Sequence, residues 1–260
     1  MCLIVFGYKS IPGYYLIMAA NRDEFYERPT RSAGFWKSTP GILAGKDLRA
    51  GGTWLGMHRD GRFAAVTNYR DMSSHDPEAK SRGKLVSGYL KSKDPPESYL
   101  SHLQNQAGDY NGFNLLAGDL SDLYHYSNVE NKINRIEPGI HGISNALMNT
   151  PWPKVEEAKK RFTDITDDQI ETEANLFDLL THKKTYPPDQ LPETGLSGEM
   201  EKAVSACFIQ TPDYGTRSST LVFIKYDGTA RFVERVYKPG TSRITEENGF
   251  DFTLPEPEHV

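Results

Sequence analysis

Cysteine is scarce in this chain: Cys2 and Cys207 are the only two in 260 residues. Two thiols make no disulfide framework, and a reducing compartment follows as the simplest expectation. Long apolar runs are absent as well; nothing approaches the roughly 18 consecutive apolar residues of a membrane helix. Lys9, Pro12 and Gly13 break up the apolar first twenty residues, and Met18 stands where a leader cleaved after Ala20 would need a small side chain. No leader and no integral membrane segment are expected, so the chain reads as cytoplasmic. Concentrated positive charge is missing too. The net charge is −5 and the pI about 5.8. The densest basic stretch, Lys154 to Arg161, is interrupted by Glu156 and Glu157. It reads as a solvated helix face, and nucleic acid is excluded as a partner.

Metal and nucleotide signals are equally thin. The seven histidines, at 58, 75, 102, 125, 141, 182 and 259, show no metal-ligand spacing, and Cys207 has no cysteine or histidine close by in sequence. Arg82-Gly83-Lys84 lacks the upstream glycine of a phosphate loop, Gly51-Gly52 is too short for a nucleotide fingerprint, and no Gly-x-Ser-x-Gly elbow occurs. No metal and no organic cofactor are expected.

What is present is enough apolar content, 37%, for a sizeable core, and three strong hairpin signals. Residues 2–8 pair naturally with Tyr14 to Ala20. Thr53 to His58 and Arg62 to Asn68 flank Asp60-Gly61, and Leu221 to Tyr226 and Arg231 to Tyr237 flank Asp227-Gly228. A further hairpin is expected from Phe113 to Tyr126. Residues 25–50 and 183–199 read as loops. Helical periodicity fills 82–107 and recurs at Pro153 to Phe162 and Leu176 to Thr181. Hairpins at both ends and helices in the middle predict an α+β fold of two mostly antiparallel sheets with helices packed outside, as a single domain over residues 1–260.

Cys2 opens the first strand. A cell can remove Met1 when the next residue is small, which would place a thiol and a free α-amine on one residue. The amine's reference pKa of about 7.7–8.0 suits a general base near neutrality, and the thiol is the nucleophile. The competing reading is a small apolar residue starting a buried strand. Asn21-Arg22-Asp23-Glu24 ends the partner strand. An arginine beside a thiol lowers its pKa, and a carboxylate beside an amine orients it. Asn68 and Asn145 fall at strand ends, where a side-chain amide can donate to an oxyanion or cap a turn. Arg217 precedes a strong strand and reads otherwise as an exposed loop residue.

Cys2, Asn21-Arg22-Asp23-Glu24, Gly51-Gly52-Thr53-Trp54-Leu55-Gly56 and Ser144-Asn145-Ala146-Leu147 together resemble the NRDE family. Its eukaryotic members are called transport and Golgi organisation proteins. That family is similar to the N-terminal-nucleophile hydrolases, in particular the choloylglycine hydrolase and acid ceramidase group. The resemblance implies a four-layer αββα sandwich and hydrolysis, or acyl transfer, at a non-peptide amide C–N bond of a small-molecule substrate. It further implies a nucleophile at Cys2, an arginine beside it at Arg22 and an acidic partner for the amine at Asp23. Oxyanion asparagines would fall at Asn68 and Asn145, and a second arginine at Arg217. In the choloylglycine group two residues separate the arginine from the aspartate; here Arg22 and Asp23 are adjacent. Either the strand ends by Asp23, or Glu24 takes the carboxylate role, because alternate residues share a face. The alternative function is a carrier that binds a lipid, an acyl-CoA or haem in the same cleft.

Overall fold

The computed structural model of the chain describes residues 2–168 and 172–255. Among them, thirteen strands and five α-helices run in this order: β1 (Cys2–Ile11), β2 (Tyr14–Phe25), β3 (Thr30–Trp36), β4 (Thr39–Asp47), β5 (Leu55–His58), β6 (Phe63–Asn68), α1 (Gly83–Lys91), α2 (Pro96–Gln104), β7 (Phe113–Gly118), β8 (Leu123–Ser127), β9 (Lys132–Arg135), β10 (Gly139–Ile143), α3 (Pro153–Asp168), α4 (Thr172–Leu180), α5 (Gly198–Ala203), β11 (Tyr214–Lys225), β12 (Thr229–Tyr237) and β13 (Ile244–Thr253). One sheet has the order β10-β1-β2-β11-β12-β13, the other β3-β4-β5-β6-β7-β8-β9. Every pairing between these strands is antiparallel.

Period-two alternation on β1 and β2 builds the layers. Ile4, Phe6, Met18 and Ala20 face the second sheet and pack on Leu43, Met57 and Leu116. Leu3, Val5, Ile17 and Ala19 face the other way, onto Val155 and Phe162 of α3 and Leu176 and Phe177 of α4. The far side of the second sheet, with Ile42, Ala64 and Leu115, is covered by Val86 and Leu90 of α1 and Leu100 of α2. The result is the four-layer αββα stack.

The three strong hairpins and the Phe113–Tyr126 hairpin form as the sequence predicts. Residues 25–50 are not a loop: β3 and β4 occupy most of that span. β3 is half exposed and carries Gly and Arg, so its alternation is diluted. β13 is missed for the same reason, an edge strand that is exposed along most of its length and charged. Residues 215–220, expected to lie just before the strand, already belong to β11.

The inter-sheet layer is the one both sheets share, so it carries the largest packing term. Phe6 is fully buried there. Replacing it with Ala is expected to cost about 3–5 kcal/mol in urea unfolding, whereas Tyr226→Ala, at an exposed position, should fall within about 0.5 kcal/mol of wild type.

Candidate active site

The β1–β2 hairpin puts Cys2 directly opposite Arg22. Paired residues on antiparallel strands project from the same face, so thiol and guanidinium meet at the end of the inter-sheet layer. β2 continues through Phe25, so the strand does not end by Asp23 and alternation holds along Asn21-Arg22-Asp23-Glu24. Each of the four residues therefore has a different task. Asn21 faces the helices, where its amide donates to the carbonyls of Leu180 and Cys207, both at 2.8 Å. Arg22 faces the second sheet. Asp23 turns back toward the helices, is buried, and accepts from the Thr216 hydroxyl at 2.6 Å. Glu24 returns to the Arg22 side, 3.9 Å from Nη2 of Arg22 and 3.6 Å from Nε of Arg28.

The Gly51-Gly52-Thr53-Trp54 string fixes the opposite wall. A Cβ on Gly52 would lie inside the backbone of Gly83, so only glycine lets these segments touch. The Thr53 N–H donates to the Gly83 carbonyl at 3.0 Å. That contact sets Arg82, one residue earlier, at the start of α1. Trp54 lies against Gly45, where a Cβ would clash with the indole. The Arg22 guanidinium stacks on the Trp54 ring at 4.3 Å.

The asparagines differ in position. Asn68 is partly exposed at the end of β6 and lines the cavity that holds Cys2. Asn145 is fully buried. Its amide donates to the Asn68 carbonyl at 2.9 Å, and its own carbonyl accepts from the Arg70 N–H at 2.8 Å. The neighbouring Ser144 hydroxyl donates to the Cys2 carbonyl at 3.0 Å. Ser144 and Asn145 thus tie both sheets together beneath the thiol. Arg217 sits at a bulge in β11 and donates through Nη1 to the carbonyls of Phe25 and Arg28, at 2.9 and 3.1 Å. It braces the turn after β2 and is not among the residues lining the Cys2 cavity.

Burial pushes the Cys2 thiol above its usual value. The Asp23 N–H, which donates to the sulfur, and the Arg22 charge offset this only in part. Arg22 does lower the thiol pKa, as an arginine beside a thiol is expected to, but desolvation outweighs it. Burial also raises the Asp23 carboxyl, against the opposing effects of Lys154, Thr216 and Arg22. Lys154 corrects an expectation. It is not on a solvated helix face but buried in the first turn of α3, with Nζ donating to the Val204 carbonyl at 2.9 Å. Burial lowers its pKa to about 8, against the pull of Asp23. Nearby, the buried Arg70 and Glu201 pair at 2.9 Å, and the Thr194 hydroxyl donates to Glu201. Sequence reasoning missed Lys154 because its neighbours Glu156, Lys159 and Lys160 do face outward; the two prolines and the tryptophan at 151–153, which turn the chain into the core there, were the available signal.

The Cys2 cavity measures about 340 Å³ and is polar, with Arg22, Arg28, Arg82 and Asn68 among its walls. It shares Glu24, Arg28, Asn68 and Arg82 with an adjoining groove of about 920 Å³. That groove adds Phe25, Met72, Val129, Leu196 and Met200. Among the described residues no cluster of His, Cys, Asp and Glu could hold a metal ion, and no helix is long and apolar enough to cross a membrane.

Fold and site define an αββα sandwich with a cysteine at the start of its first strand, facing a cleft. The chain belongs to the Transport and Golgi organisation 2 family, whose sequence profile matches residues 1–239. The Transport and Golgi organization 2 homolog of Mus musculus is 35% identical, over 98% of this chain and 99% of its own length. The Bos taurus homolog is 37% identical, over 90% and 92%. Those names state no catalytic activity. A variant of conjugated bile acid hydrolase from Clostridium perfringens is similar in overall course, with a TM-score of 0.48 and 10% identity over 98% of this chain and 99% of its own. That likeness is loose and carries no chemistry to this chain.

Lys154 gives the site a pH signature. Its folded pKa, about 8, lies below the ordinary 10.5, so the unfolded chain binds more protons between those values. The burial cost is full below about pH 8 and is relieved as pH rises through that window. Wild type should therefore gain up to roughly 3 kcal/mol of stability relative to Lys154→Met across this range. Urea titrations of both proteins at the two ends measure it; a constant difference would contradict the assignment.

Proposed function

We propose that the chain is a hydrolase, or an acyltransferase, of a non-peptide amide C–N bond, with Cys2 as nucleophile once Met1 is removed. The observation that carries this reading is the Cys2–Arg22 pair at the end of the β1–β2 hairpin, with the Asp23 N–H on the sulfur and a cavity in front of it. A thiol raised by burial stays protonated at rest, so it needs a base within reach. Methionine removal supplies one on the same residue, the α-amine.

In the proposed cycle the α-amine takes the thiol proton as sulfur attacks the substrate carbonyl. The C–S bond forms and the carbonyl oxygen becomes an oxyanion. The ammonium then gives its proton to the leaving nitrogen, the C–N bond breaks, and a thioester remains on Cys2. Water, deprotonated by the same amine, attacks the thioester and releases the acid, restoring the thiol. In acyl transfer another nucleophile takes the place of water. Arg22 favours the thiolate, and Asp23 pairs with the ammonium from the helix side of the strand, because the amine is a main-chain group that side-chain alternation does not bind to one face. Glu24, the substitute carboxylate considered from the sequence, instead orients Arg22 and Arg28. The Asn68 amide donates to the oxyanion, and Asn145 is a positioning residue that holds Asn68. Arg217 braces the turn that carries Phe25 and Arg28.

The test offers processed protein a panel of N-acyl amides and follows intact mass. A thioester on Cys2 is expected, absent in Cys2→Ala. Asn68→Ala should slow turnover by about 10²–10³-fold while barely changing ligand affinity. Ligands that bind tightly yet never acylate Cys2 would overturn the reading in favour of a carrier of lipid, acyl-CoA or haem.

A further inference from the structure

Two guanidinium groups at the cleft are short of partners. The Arg28 cation in the same wall is paired with Asp47 at 2.7 Å, and Lys80 with Asp109 at 2.6 Å. Arg22 is not so served. It is only 5% exposed, its Nη1 makes no hydrogen bond among the described residues, and its nearest ion-pairing oxygen, on Glu24, is 3.9 Å from Nη2. Arg82 is partly buried and makes no ion pair among the described residues. Its Nη1 donates to the Gly112 carbonyl at 3.0 Å. A buried guanidinium whose counter-charge stands only at the edge of ion-pairing distance is costly, and a closer anion would complete it.

Position gives the missing anion a place. Arg22 lines the Cys2 cavity, which also holds Asp23, Glu24, Asp47 and Asp76, and Arg82 lines both that cavity and the adjoining groove of mixed polar and apolar lining. Both act electrostatically on the Cys2 thiol. The apolar side chains Phe25, Met72 and Val129 are exposed and gather in one groove; a contiguous exposed apolar patch is the kind of surface a ligand covers.

We infer that the cleft takes an amphiphile with a compact anionic head, a carboxylate or a phosphate, held between Arg82 and the Arg22 guanidinium while its apolar tail lies along Phe25, Met72 and Val129. Arginine suits this task because its planar fork donates two parallel hydrogen bonds to one oxyanion. Arg82 is then the specificity residue: it stands at the junction of the two cavities, where head and tail meet. Its place depends on the Gly52–Gly83 backbone contact, which gives that glycine pair a role in ligand choice. Glu234 acts on Arg22 only at a distance, through its charge. Its carboxylate accepts from the Ala33 N–H at 2.6 Å, and it forms no ion pair with Arg22 among the described residues.

The inference deepens the proposed use of the Cys2 cavity, but its test needs no turnover. Binding is measured by calorimetry on the full chain carrying Cys2→Ser, with three probes of equal tail length: N-dodecanoylglycine, its neutral glycinamide and dodecyl phosphate. At least one anionic probe should bind roughly tenfold or more tighter than the neutral one. Which anion leads separates carboxylate from phosphate. In Arg82→Gln the preference should fall to near unity, and in Arg82→Lys, which keeps the charge and loses the fork, to an intermediate value. Equal binding of neutral and anionic probes before any change at Arg82, or a preference that survives Arg82→Gln, would overturn the inference. The wild-type Arg82 comparison decides alone should Arg82→Gln fail to fold. Anion preference without acylation of native Cys2 would leave this inference standing and remove the amidase reading; acylation with no anion preference would do the reverse.

Discussion

The register of the β1–β2 hairpin is the constraint on which the site depends. A shift of one residue would turn Cys2 toward the helices and leave Arg22 facing another partner, because side chains alternate at every step. Register is held from both sides. Ile4, Phe6, Met18 and Ala20 must face the second sheet, and Leu3, Val5, Ile17 and Ala19 must face α3 and α4. Buried apolar surface therefore does more than stabilise the sandwich. It aims the thiol. Asn21 adds a polar lock to the same register, since its amide donates to two carbonyls of the helical layer and its Oδ1 accepts from the Ser219 hydroxyl at 2.5 Å.

A second device works on the facing wall. Gly52 and Gly83 let two backbones meet, and that meeting places Arg82; Gly45 leaves room for Trp54, and Trp54 carries Arg22. The two motifs most distinctive in the sequence are thus parts of one arrangement. One supplies the arginine and the other supplies the surface that holds it. Behind them lies a pocket of buried charge, Asp23, Lys154, Arg70 and Glu201. Charges removed from water interact strongly, and each must be balanced by its neighbours. This explains why burial moves both Asp23 and Lys154 toward their neutral forms.

Much of this was legible from residue patterns. The alternating apolar residues of β1, β2, β11 and β12 declared the central hairpins and brought residues 20–24 near the chain's start; the register that sets Cys2 opposite Arg22 is seen only in the fold. What stayed hidden has physical causes. β3 and β13 lie half in water or nearly so, and an exposed strand has no apolar alternation to show. Asn145 could not be placed from its position at a strand end, because its partners, Asn68 and Arg70, lie more than seventy residues away in sequence. Lys154 is hidden for another reason: a lysine near a helix start is ordinarily solvated, and only the path of the chain into the core buries it. The sign of the Cys2 shift depends on the contest between desolvation and charge, which no spacing reveals.

The central claim is that the Cys2 α-amine serves as the base for its own thiol. It is tested most directly by comparing two forms of one sequence: protein processed in the cell, and protein made with methionine aminopeptidase inhibited so that Met1 stays in place. Intact mass identifies each form, and both are assayed on an amide probe that acylates the processed one. The account predicts turnover from the processed form and none above background from the form that keeps Met1. Equal turnover from both would contradict it, because an amine locked in a peptide bond cannot take the proton.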